Sequence, residues 1–203
     1  IYMKTKLIIL GCGSSIGVPR IDGYWGKCKK IAKNYRTRCS ALIQKGQNNI
    51  LIDTSPDLKQ QLLKNKITNI SSVLYTHEHA DQTHGINELR PFFWKNKSKI
   101  NIYGDYRTIN ILKKRFNYCF KSMDGYVATL NANVINNKFY LGKNSEKIKF
   151  GIIKVQHGKI MSSGYVFEKT AYLSDCNALS KDTFKKLKDL KYLIIDCFKI
   201  KKH

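Results

Sequence analysis

The sequence has no apolar run approaching the roughly 18 residues that a membrane-spanning helix needs, which sets the membrane-embedded class aside. Its opening, Ile1 to Leu10, lacks the long apolar stretch and small-residue cleavage site of a secretory signal. Met3 reads as the start, with Ile1 and Tyr2 upstream of it, and a cytoplasmic location is expected. The six cysteines, Cys12, Cys28, Cys39, Cys119, Cys176 and Cys197, form no CxxC pair. They are expected as reduced thiols in or near the core, although Cys12 and Cys28 leave a structural zinc open at a spacing that is not diagnostic. Proline is scarce, and no repeat, low-complexity tract or Pro/Ser-rich linker interrupts the chain, so a single domain over 1–203 is expected. Acidic residues are also scarce: 14 against 37 Lys and Arg, a net charge of +23. Such a surface attracts anions and nucleic acid. The charge is nearly all lysine spread along the chain, accompanied by Asn, Ile and Tyr, a bias that A/T-rich codons also produce. Nucleic acid is therefore admissible as a partner but not favoured, a membrane is not expected, and a homodimer remains admissible.

What the chain does have is a series of short apolar runs: Lys6–Leu10, Cys39–Ile43, Ile50–Asp53, Ser72–Thr76, Ile100–Tyr103, Lys147–Val155, Gly164–Phe167, Ala171–Ser174 and Tyr192–Asp196. Their Ile, Val, Leu and Tyr content, with Gly and Asn between them, predicts strands. Gln44–Asn49, containing Gly46, should close a hairpin. Three intervening segments predict helices. One is capped by Ser55 with Pro56 at its first position and has Leu58, Leu62 and Leu63 on one face; the others start at Asp105 and Ser180. Phe184, Leu187 and Leu190 should share a side of the last. A layered mixed α/β domain follows.

The chemistry concentrates at one place. The strand Ser71–Thr76 runs into His77-Glu-His79-Ala-Asp81-Gln82-Thr-His84-Gly85, and three of the chain's five histidines fall in these eight positions from His77 to His84. Histidines two apart in an extended turn can face one ion while Asp81 reaches the same pocket from the far side, and imidazole with carboxylate suits zinc, manganese or iron. Further residues of these types follow other strands: His157-Gly158, Asp175, and Asp196 with His203 seven residues beyond. Ligand-type residues just past several strand ends are what a site on one sheet edge requires.

HxHxD after a strand, a later His-Gly and a later Asp after a strand resemble the metallo-β-lactamase superfamily. Leu10–Pro19 (LGCGSSIGVP), Arg36–Ser40 (RTRCS), Leu51–Asp57 (LIDTSPD) and His84–Arg90 (HGINELR) look like one branch of it. That branch contains the phosphoribosyl cyclic phosphate phosphodiesterases of phosphonate breakdown and is related to the tRNA 3′-processing nucleases. The resemblance covers essentially the whole chain. It implies an αββα sandwich of two mixed sheets flanked by helices, truncated here at the C-terminus. It also implies two divalent ions, zinc or manganese: His77, His79 and His157 on the first, Asp81 on the second, and Asp175 bridging. Asp53 is implied as a buried residue supporting the ligand loop. At two points the chain departs from the pattern. The residue after Asp81 is Gln82 where the resemblance implies histidine, leaving a weaker carbonyl ligand, or His84, for the second ion. His203 stands for the last histidine ligand at the very end of the chain. One ion instead of two is the alternative these departures leave open.

The activity implied is hydrolysis of a small phosphodiester, a cyclic one included. Paired ions lower the pKa of a shared water towards neutrality, with Asp81 or Asp175 to orient it or take its proton. Arg36, Arg38 and Arg90 are candidates to grip phosphate through the guanidinium fork, against ordinary surface pairing. The loop Gly11–Pro19 lacks the Gly-Lys-Ser/Thr ending of a nucleotide-binding loop and is expected to shape a turn near the site. Tyr24 and Trp25, just after it, are expected to pack in the core. An RNA-processing nuclease and a non-catalytic member that has lost its second metal are the two other readings.

Overall fold

Alternation along the strands decides which side each residue buries, and in the central strands both sides are used. The computed structural model describes residues 3–197. Strands β1 (Lys6–Gly11), β2 (Ser40–Lys45), β3 (Asn48–Ile52), β4 (Ser72–Leu74), β5 (Ile100–Gly104) and β6 (Leu130–Val134) form one sheet in sequence order. Its first three strands are antiparallel and its last four parallel. The second sheet comprises β7 (Phe139–Leu141), β8 (Ile148–His157), β9 (Ile160–Phe167), β10 (Thr170–Leu173) and β11 (Tyr192–Ile195), ordered β11-β10-β9-β8-β7. Only its β10–β11 pair is parallel. The helices are α1 (Leu58–Lys64), α2 (Ala80–Thr83), α3 (Arg90–Asn96), α4 (Tyr106–Arg115), α5 (Asn117–Phe120) and α6 (Lys181–Lys186). None of them is long and apolar enough to cross a membrane.

Three apolar layers follow from the alternation. Ala41, Ile43, Ile50, Ile52 and Leu74 meet Phe150, Tyr165, Phe167 and Tyr172 between the sheets. Their neighbours Leu42, Leu51 and Val73 belong instead to the layer holding Leu58 and Leu62 of α1 and Ile109 and Leu112 of α4. On the far side of the second sheet, Ile153, Val155 and Leu173 pack with Leu179 and Leu187, which flank α6. Helix, sheet, sheet, helix is the αββα sandwich the resemblance implies. The β2–β3 hairpin closes as expected: Lys45 pairs with Asn48, and Gly46, at φ 58°, supplies the left-handed turn residue.

Several local expectations are corrected. The first helix starts at Leu58, because Ser55 closes a turn instead: its Oγ accepts from Asp57 N and its carbonyl from Leu58 N. Leu63 (70% exposed) and Phe184 (66%) lie off the buried faces, since helices of seven and six residues bury too few positions to hold every periodic apolar residue. Asp105 and Ser180 cap α4 and α6 as expected, accepting from Thr108 N and Thr183 N. Strands β6 and β7 and helix α3 were not legible: β6 reads Leu-Asn-Ala-Asn-Val at a sheet edge, and α3 buries no residue fully. Of the cysteines, Cys119 is buried, Cys39 and Cys176 are half-buried, and Cys12, Cys28 and Cys197 are exposed. Tyr24 is exposed, with the Arg20 guanidinium 4.9 Å from its ring centroid, so it does not join the core.

Candidate metal centre

Four strand ends deliver the site. The chain leaves β3 at Asp53 (φ 60°), leaves β4 through Tyr75 and Thr76 into His77, leaves β8 at His157, and leaves β10 through Ser174 into Asp175 (φ 46°). Aspartate tolerates the left-handed region better than most residues, which lets the backbone turn sharply at both carboxylates. The histidine turn is tied to the second sheet as well as the first. Ser163 N donates to the Thr76 carbonyl at 2.8 Å, and Tyr165 Oη donates to the Tyr75 carbonyl at 2.6 Å. Next to it, Gly85 is required by close approach: a Cβ there would meet the Ser55 carbonyl oxygen at 2.0 Å.

His77, His79 and His157 converge so that one ligating atom from each lies within 4.8 Å of the other two. The rings stand edge to face, with centroids 4.6–4.9 Å apart. His157 Nε2 and His79 Nδ1 are 3.1 Å apart. His77 Nε2 is buried without a hydrogen-bond partner among the described residues, an arrangement that costs about 1–3 kcal/mol unless something else pairs with it. Burial, then the neighbouring His79 and His157, lower the His77 pKa to about 3, and burial with His157 lowers that of His79. Neutral imidazoles with converging lone pairs are the donor set of a divalent ion, and the orphaned Nε2 is the atom such an ion would complete.

The protonation state of His77 is set by a chain of three residues. Thr76 N and Thr76 Oγ1 both donate to the buried carboxylate of Asp53, each at 2.8 Å. With its hydroxyl proton committed to Asp53, Thr76 Oγ1 can only accept from His77 Nδ1, 3.1 Å away. His77 is thereby held as the Nδ1–H tautomer, and Nε2 keeps its lone pair free. Asp53 thus takes the supporting place that the resemblance implies for it. Neither Thr76 nor the buried Glu78 stood out in the sequence. Glu78, set between two of the histidines, receives Arg107 Nε on its carboxylate (2.8 Å) and Arg115 Nη1 on its carbonyl (2.5 Å), which fixes the turn from its other side.

The carboxylates form a second group. Asp175 Oδ2 lies 3.8 Å from His77 Nε2. Gln82, fully buried, places its Nε2 2.8 Å from Asp175 Oδ2 and 3.1 Å from Asp81 Oδ2. Its carboxamide oxygen faces the Cys39 thiol at 3.2 Å. Burial, then the nearby Asp81 charge, push the Asp175 pKa up to about 6. Burial and neighbouring carboxylates, Asp53 foremost, also push the Cys39 pKa up, so the thiol is protonated and donates. Gln82 therefore enters the site as a donor through its NH2, not as the carbonyl ligand expected.

The remaining predicted residues are dispersed. His84 is exposed, its ring edge-on to Phe116 with centroids 5.5 Å apart, and it does not join the histidine cluster. His203 lies outside the described residues. Arg38 grips Asp57 with Nε at 2.8 Å and Nη2 at 2.5 Å; its pKa is raised chiefly by that bond, and the Asp81 charge adds to the rise. Arg90 lies against the rings of Trp94 and Tyr126, and Arg36 donates to the carbonyls of Lys33 and Tyr35.

A stability consequence follows from the lowered histidine pKa. Between pH about 6.5 and about 3 the unfolded metal-free chain takes up a proton on His77 that the folded chain refuses, so acid favours unfolding. Chemical denaturation of the metal-free protein is expected to show a loss of about 1.4 kcal/mol per pH unit below 6.5 from this histidine. Because Asp175, raised to about 6, shifts stability the other way below that pH, the histidine's share is read as the wild-type slope minus that of His77→Ala, and two equal slopes would contradict the geometry.

A mixed αββα sandwich with a three-histidine cluster beside two carboxylates has the architecture of the metallo-β-lactamase fold, with a candidate metal centre at its strand ends. The chain belongs to the beta-lactamase superfamily, whose domain matches residues 48–202. Among solved structures it is similar to a new diphosphatase from the PhnP family, with a TM-score of 0.85 and 28% identity over 98% of this chain and 76% of that one. Zinc-bound PqqB from Methylobacterium extorquens shares the fold with a TM-score of 0.69 and 17% identity, over 95% of this chain and 72% of that one. A curated relative, the octanoyltransferase of Porphyromonas gingivalis, is 28% identical over 199 residues, covering 97% of this chain and 40% of that protein. The chain therefore spans about two fifths of the length of the curated relative it matches.

Proposed function

We propose that the chain hydrolyses a small phosphodiester, a cyclic one included, at a divalent ion held by His77, His79 and His157, with zinc or manganese as the native metal. The observation that carries this reading is the buried, unpaired Nε2 of His77 facing two further imidazoles. The likeness at 28% identity to a diphosphatase supports a phosphorus centre over a carbon one. Bound there, a divalent ion supplies Lewis acidity to a phosphoryl oxygen and lowers the pKa of water. Asp175, 3.8 Å from His77 Nε2, is the group placed to orient the attacking water and hold its proton. Asp81 shares the Gln82 amide with Asp175 and fixes its direction. Arg38, held in line by Asp57 and within electrostatic reach of Asp81, is a cation available to an anionic substrate.

The test is hydrolysis of bis-p-nitrophenyl phosphate with and without chelator, followed by a small cyclic diester set against a short RNA. Turnover that chelator abolishes and added Zn²⁺ or Mn²⁺ restores is the expected result, with the small diester preferred. Turnover unaffected by chelator would remove the metal from the mechanism. Preference for the RNA would turn the reading towards a nuclease.

A further inference from the structure

We infer that this chain carries one divalent ion at its site, not two, because the carboxamide of Gln82 occupies the position between Asp81 and Asp175 that a second ion would need. The inference rests on the metallohydrolase reading above and sharpens it. Two carboxylates that face each other in a half-buried site repel unless a cation or a donor stands between them. Here the donor is present: Gln82 Nε2 reaches Asp175 Oδ2 at 2.8 Å and Asp81 Oδ2 at 3.1 Å, one N–H for each. Amide nitrogen has no lone pair to offer a metal, since it is delocalised into the carbonyl. An ion ligated by carboxylate oxygens at about 2.0–2.2 Å cannot share a gap that the nitrogen already fills at hydrogen-bonding distance.

Turning the amide over does not rescue the second site. It would aim the carbonyl oxygen at two carboxylate oxygens, while Cys39 Sγ, 3.2 Å from Oε1 and 3.1 Å from Nε2, would meet the amide in either orientation. The two carboxylates, Asp81 and Asp175, therefore hold one orientation of a side chain that is fully buried. The backbone is equally fixed, with the Gln82 carbonyl accepting from Thr54 N at 2.8 Å. Histidine at this position would give back an imidazole lone pair, and the two carboxylates would then face an ion. What Gln82 supplies is a neutral pair of donors between the carboxylates in the place of the second ion.

Elemental analysis after loading with excess Zn²⁺ and desalting tests this on the wild-type chain and on Gln82→His, with thermal unfolding of both to confirm that the variant folds. The expected result is near one ion per chain in the wild type and near two in the variant, with a second binding event for the variant in titration calorimetry. Two ions in the wild type would overturn the inference and leave the metallohydrolase reading standing. No ion would overturn both. One ion without any phosphodiester turnover would leave the single-ion site and remove the hydrolase. A folded Gln82→His that stays at one ion would show that Gln82 does not close the second position.

Discussion

Replacing His77 with alanine is expected to strip the ion from the chain and to cut phosphodiester turnover by about three orders of magnitude or more, the several kcal/mol that a Lewis acid contributes at a phosphoryl oxygen. His77 should matter most of the three ligands because of where it stands. It is the only one of them that is fully buried, its Nδ1 is already committed to Thr76, and its Nε2 has no other partner among the described residues. His79 is exposed and His157 half-buried, so water can partly replace either. The same substitution should make the metal-free protein less sensitive to acid, since the histidine whose neutral form the fold enforces is gone. Lost metal together with a smaller acid-induced loss of stability than in the wild type is the combination expected. An alanine variant that retained stoichiometric zinc, measured by elemental analysis, would place the ion elsewhere.

How much of this site the sequence discloses depends on the kind of interaction. The histidines are legible because their spacing after a strand serves a single purpose, and His157 and Asp175 because each ends a run of alternating apolar residues. The sandwich is legible because Leu42 and Leu51 alternate with Ile43 and Ile50, and the structure assigns the two sets to different cores. The contacts that decide the chemistry are less visible. Thr76 relays Asp53 to His77 across 23 positions of sequence, and Gln82 reaches Asp175 across 93. No local pattern announces that a glutamine will donate to two carboxylates instead of ligating through its oxygen. Arg38 and Arg90 were singled out as phosphate grips on residue type alone, whereas the fold pairs one with Asp57 and lays the other against Trp94 and Tyr126. Charge composition, dominated by lysine, locates none of this.

The second large effect is expected at Asp53, which touches no ion. Its carboxylate accepts from both Thr76 N and Thr76 Oγ1. Asparagine keeps the left-handed turn, which it tolerates nearly as well as aspartate, and keeps one acceptor for Thr76 N. Its NH2, however, meets Thr76 Oγ1 where a carboxylate oxygen used to be. Thr76 must then accept from residue 53 and turn its own proton towards His77 Nδ1, 3.1 Å away. That exchange forces His77 into the other tautomer, with a hydrogen on Nε2 pointing into the cluster. Asp53→Asn is therefore expected to weaken zinc binding about 10–100-fold, the usual cost of altering a group that orients a metal-ligating histidine. The accompanying loss of folding stability should be about 1–3 kcal/mol, that of one hydrogen bond to a charged group. Competition against a chromophoric chelator gives the first quantity and urea denaturation of the metal-free protein the second. If the variant lost stability but bound zinc as tightly as the wild type, the relay through Thr76 would be structural only, and the tautomer of His77 would have to be set from Ser162, whose Oγ lies 3.5 Å from the same nitrogen.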